Sequence, residues 1–238
     1  MRAVVLAGGK GTRLKPYTVA IPKPLVTIGG EMPILEVIIR QLANSGFTHV
    51  TLAVNHLANL IMAFFGDGSR WNIKIDYSLE ETPLSTIAPL TLINDLSEHF
   101  LVMNGDILCD LDYSEFYKDH IQSGSEVTVS TFKREAKIDF GVLEYQENNS
   151  ICKFIEKPTY YFDVSMGIYC ISKCAIDRLS KGKPYGFDDL MKDGIKDERK
   201  IMARPFDRYW RNYSKSAGSS RIHRLTFRLL PPPAALPL

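Results

Sequence analysis

At 238 residues, with 45% hydrophobic and 24% charged side chains, the chain can bury a sizeable core in one domain without disulfide support. No apolar run approaches the roughly 20 residues of a membrane span, and too few apolar residues precede Gly8 for a signal peptide, so no membrane partner and a cytoplasmic location are expected. The net charge is only +2, and six of the 29 Lys and Arg but none of the 27 Asp and Glu lie from Arg208 onward, which leaves the first 207 residues at −4. The four cysteines, Cys109, Cys152, Cys170 and Cys174, fall in or near apolar runs without paired C-x-x-C spacing, so they read as free, buried thiols of a reducing compartment.

In chain order, residues 2–7 read as a continuous apolar strand, and Pro33 opens an amphipathic helix with Ile34, Val37, Ile38 and Leu42 at helical spacing before Gly46 ends it. A buried strand over 49–54, a helix over 57–65, a strand over 73–78, a helix over 84–94 and a strand over 100–103 follow. This βαβαβ succession implies parallel strands with right-handed crossovers. Strands at 126–132, 141–145, 151–155 and 166–171 and helices near 173–180 and 186–195 complete a doubly wound, mostly parallel α/β sheet of Rossmann-like topology, with ligands at the carboxyl ends of its strands.

The first of those ends carries Gly8-Gly9-Lys10-Gly11-Thr12-Arg13-Leu14, then Pro16, Thr18 and Pro22-Lys23-Pro24. Glycines let backbone N–H groups close on phosphate oxygens, and Arg13 and Lys23 add positive charge to the same anion. A Walker loop fails because Thr12-Arg13 follows Gly11, and a dinucleotide fingerprint fails because Leu14 stands where its third glycine belongs. An ordinary glycine turn is the plain alternative, against which the two cations and the prolines flanking Lys23 weigh. Asn104-Gly105-Asp106 ends the apolar strand at 100–103, where a carboxylate can hold Mg²⁺ against triphosphate oxygens; a simple turn is the competing reading. Asp110 and Asp112 read as turn or helix-capping residues.

The run Leu6–Pro24, of the form L-A-G-G-x-G-T-R-L-x-P-x-T-x-x-x-P-K-P, resembles the signature of the sugar-1-phosphate nucleotidylyltransferases. Gly66-Asp67-Gly68-Ser69, Asn104-Gly105-Asp106, Phe140-Gly141-Val142, Phe154-Ile155-Glu156-Lys157-Pro158 and Met166-Gly167-Ile168-Tyr169 extend that resemblance in order over residues 1–210. It implies an NTP and a sugar 1-phosphate as substrates, Mg²⁺ as cofactor and a homo-oligomeric assembly. It further implies catalytic roles for Arg13, Lys23 and Asp106, with Asp106 on the metal. Leu6, Ala7, Gly8, Gly9, Gly11, Thr12, Glu80 and Ser85 would bind the nucleotide, with Glu80 reading the base edge. Gly141, Glu156, Lys157 and Gly167 would bind the sugar phosphate, although Glu156-Lys157 alone also reads as an exposed charged pair before a proline turn.

Two departures stand out. Ser85 occupies a position that is usually glycine in the family, and Trp210-Arg211-Asn212 stands where W-x-D supplies a second metal-binding carboxylate. The segment Glu80-Glu81-Thr82-Pro83-Leu84 looks more like the mannose-1-phosphate guanylyltransferase group and its heptose and uridylyl relatives than the glucose-1-phosphate thymidylyltransferases. Residues 1–207 are expected to form the catalytic domain, and 208–238, basic and closing on Pro231-Pro232-Pro233, a poorly ordered tail. No nucleic-acid-binding module is recognisable in that tail.

Overall fold

The computed structural model describes residues 1–9, 21–28 and 32–213. Strand β1 (Arg2–Leu6) leads into the glycine turn, and the short antiparallel pair β2 (Thr27–Ile28) and β3 (Met32–Pro33) precedes helix α1 (Ile34–Asn44). Pro33 sits at the N-cap of α1, and Gly46, at φ +80°, turns the chain after it, a backbone state that costs glycine little. β4 (His49–Val54), α2 (Ala58–Phe65), β5 (Lys74–Leu79), β6 (His99–Asn104), β7 (Ile107–Cys109) and α3 (Tyr113–Ser123) follow. The second half contains β8 (Val127–Lys137), the hairpin β9 (Val142–Tyr145) and β10 (Ile151–Ile155), the long β11 (Thr159–Ser172), α4 (Lys173–Asp177), α5 (Phe187–Lys196), β12 (Ile201–Phe206) and β13 (Trp210–Asn212).

Seven strands form the central sheet in the order β12-β8-β11-β6-β1-β4-β5. β1 pairs in parallel with β4 and β6, β4 with β5 and β8 with β12, whereas β11 runs antiparallel to both β6 and β8. Alternation along the strands builds two cores. Ala3 and Val5 of β1, with Leu101 and Met103 of β6, pack under α1 and α2; Val4 and Val102 pack on the other face with Ile87, Leu90, Ala175 and Leu190.

The structure corrects several expectations. Residues 84–94 form turns and one 3₁₀ stretch, Ala88–Leu92, in place of an α-helix: Pro83 and Pro89 remove two N–H donors, and Ser85 sits at φ +72°. β8 and β11 are longer than expected, pairing from Val127↔Ile171 out to Lys137↔Thr159. The partner β12 stops at Phe206↔Phe132, so residues 133–137 and 159–163 continue as a two-stranded ribbon beyond the carboxyl ends. Cys109 and Cys170 are buried, but Cys152 and Cys174 are exposed, because β10 is solvated on both faces and α4 turns Cys174 outward. Residues 208–213, expected as the start of a tail, belong to the fold: β13 pairs with β7, and Trp210 Nε1 donates to Met166 O at 3.1 Å. The remainder of that segment lies outside the described residues.

Candidate functional site

A cleft of about 660 Å³ opens at the carboxyl ends of β1, β4, β5 and β6, within the range of small-ligand sites. Its floor is the chain leaving β1, Leu6 to Gly9. Each wall supplies a polar residue that follows a parallel strand: Asn55 after the apolar β4, Glu80 after the edge strand β5 and Asp106 just beyond the apolar β6. Gly8 lies close to this group, since a Cβ there would stand 3.2 Å from Asn55 Cβ and 3.4 Å from Glu80 Oε2. A bare backbone thus passes directly beneath the Asn55–Glu80 wall.

Glu80 is fixed from three directions. Its N–H donates to Val54 O at 2.9 Å, its carbonyl accepts from Asn55 Nδ2 at 2.6 Å, and its Oε1 accepts the N–H of Leu84. On the opposite wall Lys23, carried by the 3₁₀ turn Lys23–Leu25 behind Pro22, forms an ion pair with Asp106 Oδ2. Their side chains are only 14% and 13% exposed, so solvent screens their fields on a bound anion less than at an open surface. The backbone around Asp106 is pinned as well: Gly105 N donates to Leu6 O and Tyr213 N to Asp106 O, both at 2.9 Å. Burial first, then the neighbouring Tyr209 hydroxyl, push the Tyr213 phenol well above its ordinary pKa, so it is neutral at physiological pH. β13 thereby brings Asn212 to the cleft beside Asp106. Asp112 caps α3 as expected, accepting from Glu115 N at 2.9 Å, whereas Asp110 is neither a turn nor a capping residue and instead accepts from Tyr209 N at 2.9 Å, tying down the chain just before β13.

Of the expected nucleotide residues, Leu6, Ala7, Gly8, Gly9, Glu80 and Ser85 line this one cleft together with Lys23 and Asp106. Gly11, Thr12 and Arg13 lie outside the described residues. The expected sugar residues do not line it. Gly141, Glu156 and Lys157 belong to the β9–β10 region that continues the exposed ribbon, with Glu156 Oε1 3.8 Å from Lys157 Nζ. A Cβ on Gly141 would meet the Phe154 ring at 2.5 Å and Glu156 Oε2 at 3.4 Å, so these residues form their own cluster. Gly167 bridges the two regions: at φ +78° in β11, a side chain there would clash with Asn104 Nδ2 and Ile107 Cδ1 at 2.6 Å. Sequence reading missed Asn55 and Thr86, although Asn55 carries the same signal as Asp106, a polar residue just past a buried parallel strand.

A hard cation would find oxygen donors beside the cleft in the Asp106 carboxylate and the Asn212 amide, and such ions accept mixed carboxylate, amide and water shells. Among the described residues, the grouping of three metal-capable side chains, His49, Asp76 and Asp95, lies at the other, amino-terminal end of the strands. There Lys74 pairs with Asp76 and Arg2 with Asp95, each at 2.9 Å. That grouping is an ion-pair network remote from the cleft. No helix among the described residues is long and apolar enough to cross a membrane.

Comparison with known proteins follows the same outline. The family described as "Nucleotidyl transferase" matches residues 2–212. The chain is 33% identical over 218 residues to mannose-1-phosphate guanyltransferase beta-A of Xenopus laevis, covering 88% of this chain and 60% of the relative. It is 34% identical over 217 residues to the mannose-1-phosphate guanylyltransferase catalytic subunit beta of Dictyostelium discoideum, with the same coverage of 88% and 60%. It thus spans about 60% of the length of these curated relatives. Among solved structures it is similar to HddC from Yersinia pseudotuberculosis, with a TM-score of 0.69 at 26% identity, covering 90% of this chain and 93% of that one. The same protein complexed with GMP-PN gives a TM-score of 0.67.

Proposed function

Because the chain belongs to the nucleotidyl transferase family, we propose that it transfers a nucleotidyl group from an NTP to a sugar 1-phosphate, forming an NDP-sugar and pyrophosphate. The observation that carries this reading is the convergence of the Leu6–Gly9 backbone, Lys23, Glu80 and Asp106 on one cleft. GTP and mannose 1-phosphate or a related sugar are the favoured pair. The guanyltransferase relatives support this choice, and so does Glu80, whose carboxylate can accept the adjacent N–H groups of a guanine edge.

In this reaction a phosphate oxygen of the sugar 1-phosphate attacks the α-phosphorus of the NTP. The new P–O bond forms as the bond to the β-phosphate breaks, and pyrophosphate leaves with the electron pair. The attacking group is already ionised, so the protein supplies alignment and charge in place of a base. Lys23 neutralises charge at the α-phosphate, and Arg13, by resemblance, holds the departing pyrophosphate. Gly8, Gly9, Gly11 and Thr12 offer backbone N–H groups to the phosphates. Gly141, Glu156, Lys157 and Gly167 receive the sugar phosphate on the far side, where Glu156 takes hydroxyls and Lys157 the phosphate. Asp106, with Asn212 beside it, would hold Mg²⁺, which supplies charge neutralisation on phosphate oxygens when bound. Residues 1–213 form the unit proposed to carry these steps, acting without nucleic acid or membrane and, by resemblance, as a homo-oligomer.

Pyrophosphate release measured with GTP, ATP, UTP and dTTP against mannose and glucose 1-phosphates tests the reading. Release is expected to be fastest with GTP, and Lys23→Ala or Asp106→Ala is expected to lower kcat by about 10² or more, the cost of removing one preorganised electrostatic group. Nucleotide binding without release from any pair would instead favour a regulatory subunit, for which the amide at Asn212 is the relevant observation.

A further inference from the structure

The wall that presents Glu80 is sewn to the start of α5, four-fifths of the way along the chain. Tyr185 N donates to Leu84 O, and Tyr185 O accepts from both Ile87 N and Ala88 N, all at 3.0 Å. A fourth bond closes the seam: Phe187 N, the first donor of α5, reaches Thr86 Oγ1 at 2.9 Å. It is the only one of the four made by a side chain, and so the only one a substitution can delete. Between the anchors, Ser85 stands at φ +72° and lines the cleft, in a backbone state that a residue with a Cβ abandons unless its surroundings hold it. Its Oγ lies 3.1 Å from where a Cβ of Gly186 would be, so the seam closes tightly over residue 85 as well. Leu84, next along, gives its N–H to the Glu80 carboxylate.

We propose that Thr86 is a positioning residue for base recognition: by holding Phe187 N–H it keeps Ser85 in its left-handed conformation, and thereby keeps Leu84 N–H on Glu80 Oε1 so that the other carboxylate oxygen faces the base. The inference rests on the reading that this cleft takes an NTP. Tyr185 holds Leu84 O as well as the N–H groups of Ile87 and Ala88, so relaxation of Ser85 turns the peptide before Leu84 about these anchors, and the bond it shifts is Leu84 N–H on Glu80. Guanine offers a carboxylate two neighbouring N–H donors and adenine offers its amino group beside a ring acceptor, so a rotated Glu80 loses guanine preferentially.

The test is calorimetric binding of GTP and ATP to the full chain and to Thr86→Val, Thr86→Ser, Ser85→Gly and the double variant Ser85→Gly with Thr86→Val, with melting temperatures alongside. Thr86→Val is expected to weaken GTP binding by about tenfold, a factor equivalent to about 1.4 kcal/mol, while ATP binding changes by less than about twofold. Thr86→Ser, which keeps the hydroxyl, should match the unaltered chain. The double variant should bind GTP as tightly as the Ser85→Gly reference protein and show the same preference over ATP, because glycine holds a positive φ without help. A lowered melting temperature with unchanged GTP-over-ATP preference in Thr86→Val, or a preference in the double variant below that of Ser85→Gly, overturns the proposal and leaves the NTP site standing. Failure of the unaltered chain to bind any nucleotide overturns the reading of the cleft itself, and this inference with it.

Discussion

His120 shows how a single buried residue sets the response of the fold to acid. Fully buried at the end of α3, its ring lies between Thr128 Oγ1, 2.8 Å from Nδ1, and Ser172 Oγ, 3.2 Å from Nε2. Ser172 gives its own proton to Ser125 O at 2.9 Å, so its oxygen accepts from Nε2–H and the neutral imidazole is satisfied on both sides. Burial, reinforced by the nearby His99, lowers the His120 pKa from 6.5 to about 4. A base with a depressed pKa in the folded state contributes stability that is intact above about pH 6.5 and is lost as pH falls towards about 4, where the unfolded chain takes up the proton and the folded chain does not. The loss amounts to about 3 kcal/mol over that window at about 1.4 kcal/mol per pH unit. Urea unfolding at pH 7.5 and 4.5 measures it. His120→Asn is expected to be less stable than the unaltered chain at pH 7.5 and to lose less on acidification, and equal pH slopes for the two proteins would refute this account.

At the scale of elements, legibility followed the regularity of the local pattern more than burial: the solvated β9 and β10 were read to within a residue, whereas the largely buried 84–94, interrupted by Pro89, was not. α1 and β1, β4 and β6 have continuous or helical apolar patterns because they face the core, and their limits were readable to within a residue or so. β12 and β13 were not, because Ile-Met-Ala-Arg-Pro-Phe and Trp-Arg-Asn mix exposed and half-buried positions at the sheet edge. The site shows the same split. Gly8 and Asp106 announce themselves by following apolar strands, Glu80 was reached only through the family resemblance because β5 is a mixed edge strand, and Thr86 acts through a partner 101 residues away, which no local pattern reveals. β13 carries a prediction of its own. It delivers Asn212 to the cleft beside Asp106, so a cation there has one carboxylate and one neutral amide among its nearby donors. Asn212→Asp adds a second charged oxygen on the same strand, and because charge count tunes the affinity of such sites, Mn²⁺ binding followed by electron paramagnetic resonance is expected to tighten by about tenfold, or about 1.4 kcal/mol. Unchanged Mn²⁺ affinity would remove position 212 from the cation's surroundings.

For the whole molecule, the question is how a cleft at the strand ends and a cluster on a projecting ribbon serve one reaction. β11 links them. Its inner half pairs with β6, Ile168 opposite Met103, and Gly167 lets it press against Asn104. Its outer half carries the ribbon that leads to Glu156 and Lys157. Beyond Phe132 and Val164 the ribbon has no third strand among the described residues, and Phe140, Tyr145, Phe154 and Tyr161 are each more than 60% exposed there. Two-stranded structures of this kind are marginal in water and belong to the low-stability end of a fold, from which moving elements are drawn. On the proposed reading, a sugar 1-phosphate has to meet the nucleotide over Leu6–Gly9 while touching Glu156 and Lys157, and a swing of the ribbon toward the cleft would bring the two together. Hydrogen exchange reads this directly. Amides of residues 138–163 are expected to slow when GTP and mannose 1-phosphate are both present with a catalytically silenced Lys23→Ala protein. GTP alone should protect the loop around Glu80 and leave the ribbon unchanged, because only the sugar phosphate ties the two regions together. Ribbon protection by GTP alone, or none with both ligands, would place the sugar phosphate away from Glu156 and Lys157.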